Sequence, residues 1–251
     1  GSQLKSQWDM PYGPMPVISG LPSELSFEMR KALTAAAANF GCPMLWVEGT
    51  TRIPNEVNYQ GELSFTSLDL EESYQRLGPK GTVDLVVIGC PQASIGEIRS
   101  VVAEVRGRME LGLRIPENRL WIFTSRTIHD TLSTDGTLDI LEEAGALVLK
   151  DTCPEVTPYN RKLYNHILTN SMKAEHYLTS GLNSMPTSVA NISVCVAHAF
   201  DPKLSEGPRP VLTKSGHVLP PPTKRPKNSA IVMSGTGLPS QNSYDVTARA
   251  I

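Results

Sequence analysis

VDLVVIGCPQASIGEIRSVVAEVRG, residues 83–107, is the stretch that decides the fold. Its first seven residues form an apolar, β-branched run of buried-strand length. The run stops at Cys90-Pro91, and Ser94-Ile95-Gly96-Glu97 then reads as a capping box that opens a helix. Ile95, Ile98, Val102 and Val105 follow at helical spacing and predict its buried face. A wholly apolar strand, a short polar break and an amphipathic helix make one β–α unit of a parallel sheet covered on both faces.

The same grammar extends in both directions. Downstream, RLWIFT (119–124) predicts a strand, followed by helical pieces near 127–132 and 137–144. ALVLK (146–150) and HILT (166–169) are further strands, and a helix runs from Ser171 to about Thr179. SVANISVCVAHAF (188–200) predicts a last helix with Val189, Ile192, Val196 and Ala199 facing inward. Upstream, residues 23–40 place Leu25, Met29, Leu33, Ala36 and Phe40 on one helical face closed by Gly41. PMLWVEG (43–49) and ELSFTS (62–67) read as short strands, with Asp69 capping a helix through Leu77. Strand and helix alternate from 43 to 200, which predicts an α/β domain over 22–200: a mostly parallel open sheet with helices on both faces. Residues 1–21 read as an extended lead-in. Residues 201–251 read as a proline-rich linker and tail of unassigned role, with a solvated basic KRPK at 224–227 and a GTG at 235–237 that no helix-forming segment follows.

Composition narrows the function classes. The 251 residues are 40% hydrophobic and 19% charged, with a formal net charge of −2. Neither nucleic acid nor an anionic membrane has an electrostatic partner in such a chain. No run of eighteen apolar residues occurs, so the expectation is a soluble, cytoplasmic protein. The four cysteines, Cys42, Cys90, Cys153 and Cys195, are widely spaced without a CxxC pair, which argues against a disulfide framework.

Chemistry concentrates where the strands end. In an open α/β sheet the carboxyl ends of the parallel strands line one crevice, where ligands bind. Four signatures fall there: Cys90-Pro91, Thr124-Ser125-Arg126, Asp151-Thr152-Cys153-Pro154 and Asn170-Ser171-Met172-Lys173. By spacing, Cys90 and Cys153 are either ordinary buried free thiols or a pair that meets across the crevice to share a metal or cluster, although such clusters take three or four protein ligands. Cys42 precedes its strand and Cys195 sits within a helix, so neither joins them. Arg126 beside a helix start, with the hydroxyls of Thr124 and Ser125, suits a carboxylate or phosphate; a surface arginine beside an ordinary cap is the plain alternative. Asn170, Ser171 and Lys173 repeat that logic, against a capped helix with a solvated lysine. Lys173 and Tyr177 share a helical face, so Tyr177 is a candidate to orient an acid–base step, or else a partly buried structural tyrosine. Glu48, ending the first strand in VEGT, is either a carboxylate or base facing the crevice or a turn residue. His129, His166, His198 and His217 show no metal-ligand spacing and read as structural or exposed, and His176, beside Tyr177, reads as a structural histidine.

Taken in order, VDLVVIGCP (83–91), WIFTSR (121–126), DTC (151–153) and TNSMKAEHY (169–177) resemble the motifs of the aconitase X family, and ISGLPSELSFEMRKALTAAAANFGCPMLWVEGTT resembles its segment leading to a VEG motif. The likeness covers roughly 17–200 and implies a dehydratase, a hydro-lyase acting on mevalonate 5-phosphate or cis-3-hydroxyproline. It implies an iron–sulfur cluster, 4Fe–4S or 2Fe–2S, or iron, with Cys90 and Cys153 as metal ligands and a third ligand outside this chain. It further implies Ser171 and Lys173 as catalytic residues, with Thr124, Ser125, Arg126, Asn170 and Glu48 binding a small anionic substrate. The family's catalytic part is about twice as long, and its small swivelling domain carries the serine that acts as base. Those parts have no counterpart here, so the implied partners are a chain supplying the other half or large subunit and the swivelling domain or small subunit. A non-catalytic α/β binding module derived from the family is the competing reading, and a zinc- or iron-binding regulatory protein a third.

Overall fold

The computed structural model describes residues 15–201, except 23, 56, 58 and 60, together with a strand at 246–250. The lead-in before residue 15 and the tail features at 217, 224–227 and 235–237 lie outside the described residues. The chain forms two compact units, residues 1–76 with 208–251, and residues 77–207. The strands that alternate along 43–200 therefore belong to two sheets rather than one.

The first unit has a four-stranded sheet in the order β2-β1-β9-β3. Its strands are β1 (Pro16–Ser19), β2 (Trp46–Val47), β3 (Gly61–Phe65) and β9 (Val246–Ala250). β1 pairs parallel with β2, and β9 pairs antiparallel with both β1 and β3. A strand from the far end of the chain thus completes this sheet, which no local pattern announces. Helix α1 (Phe27–Asn39) is capped by Ser26, whose hydroxyl accepts the Met29 N–H. Its Leu33 and Ala37 pack on Ile18, Cys42 and Phe65, while Phe27 stays exposed. In α2 (Ser67–Leu77) Asp69 is not the cap. Thr66 caps, and the Asp69 carboxylate reaches back to the Thr66 N–H and hydroxyl at 2.8 and 2.6 Å.

The second unit carries a five-stranded, all-parallel sheet in the order β6-β5-β4-β7-β8. The strands are β4 (Leu85–Ile88), β5 (Leu120–Thr124), β6 (Ala146–Lys150), β7 (Ile167–Thr169) and β8 (Thr187–Val189). Between them run α3 (Ile95–Met109), α4 (Arg126–Thr134), α5 (Thr137–Glu143), α6 (Met172–Ser180) and α7 (Ile192–Phe200). The expected capping box is present, with Ser94 Oγ accepting the Glu97 N–H and Glu97 Oε2 accepting the Ser94 N–H. One expected element changes: SVANISVCVAHAF is not a single helix. Its first residues form β8, and Asn191 caps α7 by accepting the Val194 N–H at 2.9 Å. Helical spacing in that apolar run masked a three-residue strand, because short buried strands and buried helices carry the same pattern.

Residues of β4 alternate between two cores. Val86 and Ile88 join Leu120, Ile122, Val148 and Leu168 under α3, α4, α5 and α7. Leu85 and Val87 join Phe123, Ile167 and Cys90 under α6 and the segment 151–165. Each fully buried Leu or Ile contributes about 1.5–3 kcal/mol relative to exposure. β4 holds the centre of the sheet, with β5 and β6 on one side and β7 and β8 on the other. The chain order reverses there, so β4 and β7 bound the topological switch point at which open α/β sheets take ligands. Among the described residues, no helix is long and apolar enough to cross a membrane.

Candidate functional site

The carboxyl edge of the parallel sheet gathers the four signatures. Cys90 follows β4 after Gly89, whose φ of +110° and close approach to the Phe123 carbonyl exclude a side chain. The same carbonyl accepts the Ala93 N–H at 2.7 Å, and Thr124 Oγ1 donates to the Ala93 carbonyl at 2.8 Å. The turn bearing Cys90 is thereby tied to the end of β5. Across the switch point the Ser171 hydroxyl donates to the Cys90 carbonyl oxygen. That hydroxyl also accepts the Ala174 N–H, so Ser171 is both the α6 cap and a tie between the ends of β7 and β4.

Cys153 follows β6, and Gln92 joins the two thiol-bearing loops by donating through Nε2 to the Thr152 carbonyl at 3.2 Å. Cys90 is 8% exposed and Cys153 half-buried, and neither is in a disulfide. Tyr159 lies in their shared surroundings, its ring stacked on Trp121 at 5.7 Å and its hydroxyl donating to the Pro154 carbonyl at 2.9 Å. Burial pushes the Tyr159 phenol well above its ordinary value, helped by the neighbouring Cys153, Glu155 and Cys90. Tyr159 therefore stays protonated.

Arg126 opens α4 behind its cap Ser125, whose hydroxyl accepts the Ile128 N–H. Its Nε donates to Asp151 Oδ2 at 2.7 Å and its backbone N–H to Asp151 Oδ1 at 2.8 Å. The hydrogen bonds to Arg126 hold the Asp151 carboxyl below the usual range, and the partnership raises the guanidinium. The two Nη groups make no hydrogen bond among the described residues, and the side chain is 69% exposed. Lys173, half-buried in the first turn of α6, likewise makes no hydrogen bond or ion pair among the described residues. At the end of β7, Thr169 Oγ1 and Asn170 Oδ1 are buried without a partner. Buried polar atoms without partners are costly, and each calls for a partner such as an ordered water or a ligand.

Cys90, Cys153, Thr124, Ser125, Arg126, Asn170, Ser171 and Lys173 all occupy this edge. Glu48 lies exposed in the first unit, its N–H donating to Ile18 O at 2.8 Å. Tyr177 is 39% exposed and meets the His176 ring edge-on. Two thiols are chemically suited to iron or an iron–sulfur group, yet no three His, Cys, Asp or Glu side chains form a metal-holding group among the described residues. The fit is that of a partial ligand set. Asp151 stood in the sequence as the first residue of the DTC signature, without a role of its own, whereas Gln92 and Tyr159 carried no signal and owe their place to loop packing alone.

Residues 83–201 match the aconitase X third domain. The large subunit of phosphomevalonate dehydratase from Methanothermobacter thermautotrophicus is 32% identical over 59% of this chain and 37% of its own length. Cis-3-hydroxy-L-proline dehydratase from Pseudomonas aeruginosa is 30% identical over 74% of this chain and 34% of its own. The crystal structure of Thermococcus kodakaraensis aconitase X in its holo-form superposes with a TM-score of 0.59 at 25% identity, covering 72% of this chain and 46% of that one. The chain thus spans about a third of the length of these curated relatives.

Proposed function

This chain belongs to the aconitase X family through the third domain it carries, and from that premise we propose that it forms one wall of a dehydratase site completed by another polypeptide or segment. The observation that carries the reading is that two thiol-bearing loops, two cations and buried polar atoms lacking partners share the carboxyl edge of one sheet. The relatives named as dehydratases act on phosphomevalonate and cis-3-hydroxy-L-proline, both small hydroxy acids, one of them a phosphate ester. A substrate of that class suits Arg126 and Lys173, which offer charge-assisted hydrogen bonds to a carboxylate or phosphate.

In this reading Cys90 and Cys153 hold iron or an iron–sulfur cluster together with a ligand from outside the described residues. Such a group supplies a Lewis acid for a leaving hydroxyl. The chain's own residues do the rest of this wall's work. The Arg126 Nη groups and Lys173 ammonium bind and orient the anion, with the α4 and α6 N-termini adding a favourable field. Asn170 Oδ1 and Thr169 Oγ1 present hydrogen-bonding atoms to a substrate hydroxyl. In this reading Lys173 moves the proton, while Tyr159 and Trp121 exclude water. Ser171, with its hydroxyl engaged by Cys90 and Ala174, acts by holding the two strand ends together.

The test is anaerobic purification of the chain alone and with the polypeptides that supply the rest of a full-length relative. Iron and visible absorbance should appear in the assembled protein and disappear in Cys90→Ala and Cys153→Ala. An assembled protein without iron, or with iron indifferent to both substitutions, would sink the reading. In an active assembly, Lys173→Met should lower kcat by a factor on the order of 10², and Arg126→Gln should chiefly raise KM. The incomplete ligand set favours a second reading, a small-anion-binding module without catalysis; it would show anion binding dependent on Arg126 and no iron in any assembly.

A further inference from the structure

We propose that Asp151, clamped by Arg126, is a positioning residue that sets where the Cys153 thiol stands relative to Cys90. The inference deepens the two-thiol reading of the same site, but its primary test needs no metal.

Asp151 is the residue at which β6 turns toward Cys153. Its φ of +55° is left-handed, a conformation that asparagine and aspartate tolerate better than most residues. Its N–H donates to the Thr124 carbonyl at 3.0 Å, one residue beyond the last β5–β6 pair, Thr124 with Lys150. Its carboxylate then takes the Arg126 N–H and Nε–H together, at 2.8 and 2.7 Å. One side chain thus fastens the exit of β6 to the exit of β5 and the first turn of α4. One residue further, the Thr152 carbonyl is held by Gln92, which stands two residues after Cys90. The Cys90 carbonyl is itself fixed by Ser171.

The path from thiol to thiol therefore runs through Cys90, Gln92, Thr152 and Cys153, with Asp151 as the anchor just before the last link. Gln92–Thr152 is a single neutral contact of 3.2 Å. The Asp151 clamp is charge-assisted and two-pronged, and such bonds are roughly twice as strong as neutral ones. It is the charged one of the two ties on the amino side of Cys153; on the other side Thr157 Oγ1 and the Tyr159 hydroxyl donate to the Cys153 and Pro154 carbonyls, at 2.9 Å each. The arrangement also leaves the outer edge of the Arg126 guanidinium open, so one arginine can hold the ligand-bearing loop and an anion at once.

The experiment uses the full chain and iodoacetamide, with alkylation of Cys153 and Cys90 followed separately by mass spectrometry. Asp151→Gly keeps the left-handed backbone and removes the carboxylate; Asp151→Asn keeps an acceptor for the Arg126 N–H. Asp151→Gly should raise the Cys153 rate about tenfold, as expected for local loosening of one loop. The Cys90 rate should stay unchanged, with Asp151→Asn in between. Arg126→Gln, which removes the Nε–H prong and keeps the backbone N–H one, should raise the Cys153 rate less than Asp151→Gly, and the double variant no more than Asp151→Gly alone. An unchanged Cys153 rate, or a parallel rise at both cysteines, overturns the proposal. If Asp151→Gly does not fold, Arg126→Gln decides by itself. Cd2+ titration, read by thiolate charge-transfer absorbance, gives the second arm: affinity should fall about 10- to 100-fold in Asp151→Gly, the range for residues that orient ligands. A wild-type chain without Cd2+ binding whose variants still loosen Cys153 keeps the clamp and removes the metal reading. A chain that binds Cd2+ with unchanged affinity and rates in the variants removes the clamp alone.

Discussion

The two edges of the parallel sheet use polar side chains in opposite ways. At the amino edge several polar groups are turned inward onto the fold, although Arg119 Nε is buried without a partner. Asp84 Oδ2 accepts the N–H groups of Asn165 and His166, at 2.8 and 3.1 Å. The His166 ring bridges the Thr82 carbonyl and the Ser188 hydroxyl, and Arg119 donates to the Val83 and His198 carbonyls. Burial lowers the affinity of Arg119 for its proton, with Asp84 and Asp201 opposing that shift. At the carboxyl edge, by contrast, Thr169, Asn170, Lys173 and the outer guanidinium of Arg126 keep donors and acceptors in hand. The two edges come from the same strands and differ in what their side chains still have to offer. That difference is what favours the carboxyl edge as the ligand edge in the proposed reading.

The largest expected effect tests whether the ligand edge also depends on backbone geometry. Gly89→Ala should cost at least about 3 kcal/mol, because the new methyl meets the Phe123 carbonyl oxygen at a positive φ. Urea denaturation would read this, and near-native stability would show that the β4 turn can move. Next, Asp84→Ala at the amino edge leaves two backbone N–H groups without their acceptor and should destabilise by about 1–3 kcal/mol. The Cys153-to-Cys90 alkylation ratio should not move; a rise like that of Asp151→Gly would erase the distinction between the edges. Ser94→Ala removes one half of the α3 capping box and should cost about 1 kcal/mol, again with both thiols unaffected.

The smallest effect concerns pH. The folded Asp151 carboxyl lies below its unfolded value, so its contribution is complete above about pH 4 and is lost as pH falls through the folded value. The melting temperature difference between wild type and Asp151→Gly should then stay constant from pH 8 to 5, well above any carboxylate titration, and shrink only below about pH 4. A change between pH 6 and 8 would assign the difference to another group.

Much of this was legible along the chain. The strands β4, β5 and β6, the capping box at Ser94 and the placing of Cys90, Cys153 and Arg126 at strand ends all follow from local pattern. β8 was hidden in a helix-like apolar run, and β9 comes from a distant segment whose pairing has no local cause. Arg126 shows the limit most clearly. Its place at the start of a helix beside the crevice was readable, but its use of one guanidinium edge on Asp151, 25 residues away, was not.

By itself the sequence determined the periodicities, the caps and the order of the chemical signatures, because these depend on neighbours within one turn or one strand. Only the tertiary structure decided that β4 sits centrally, that Ser171 bridges to Cys90, and that Gln92 and Asp151 tie the Cys153 loop. Such contacts are set by strand order and register, which depend on how distant apolar faces pack together.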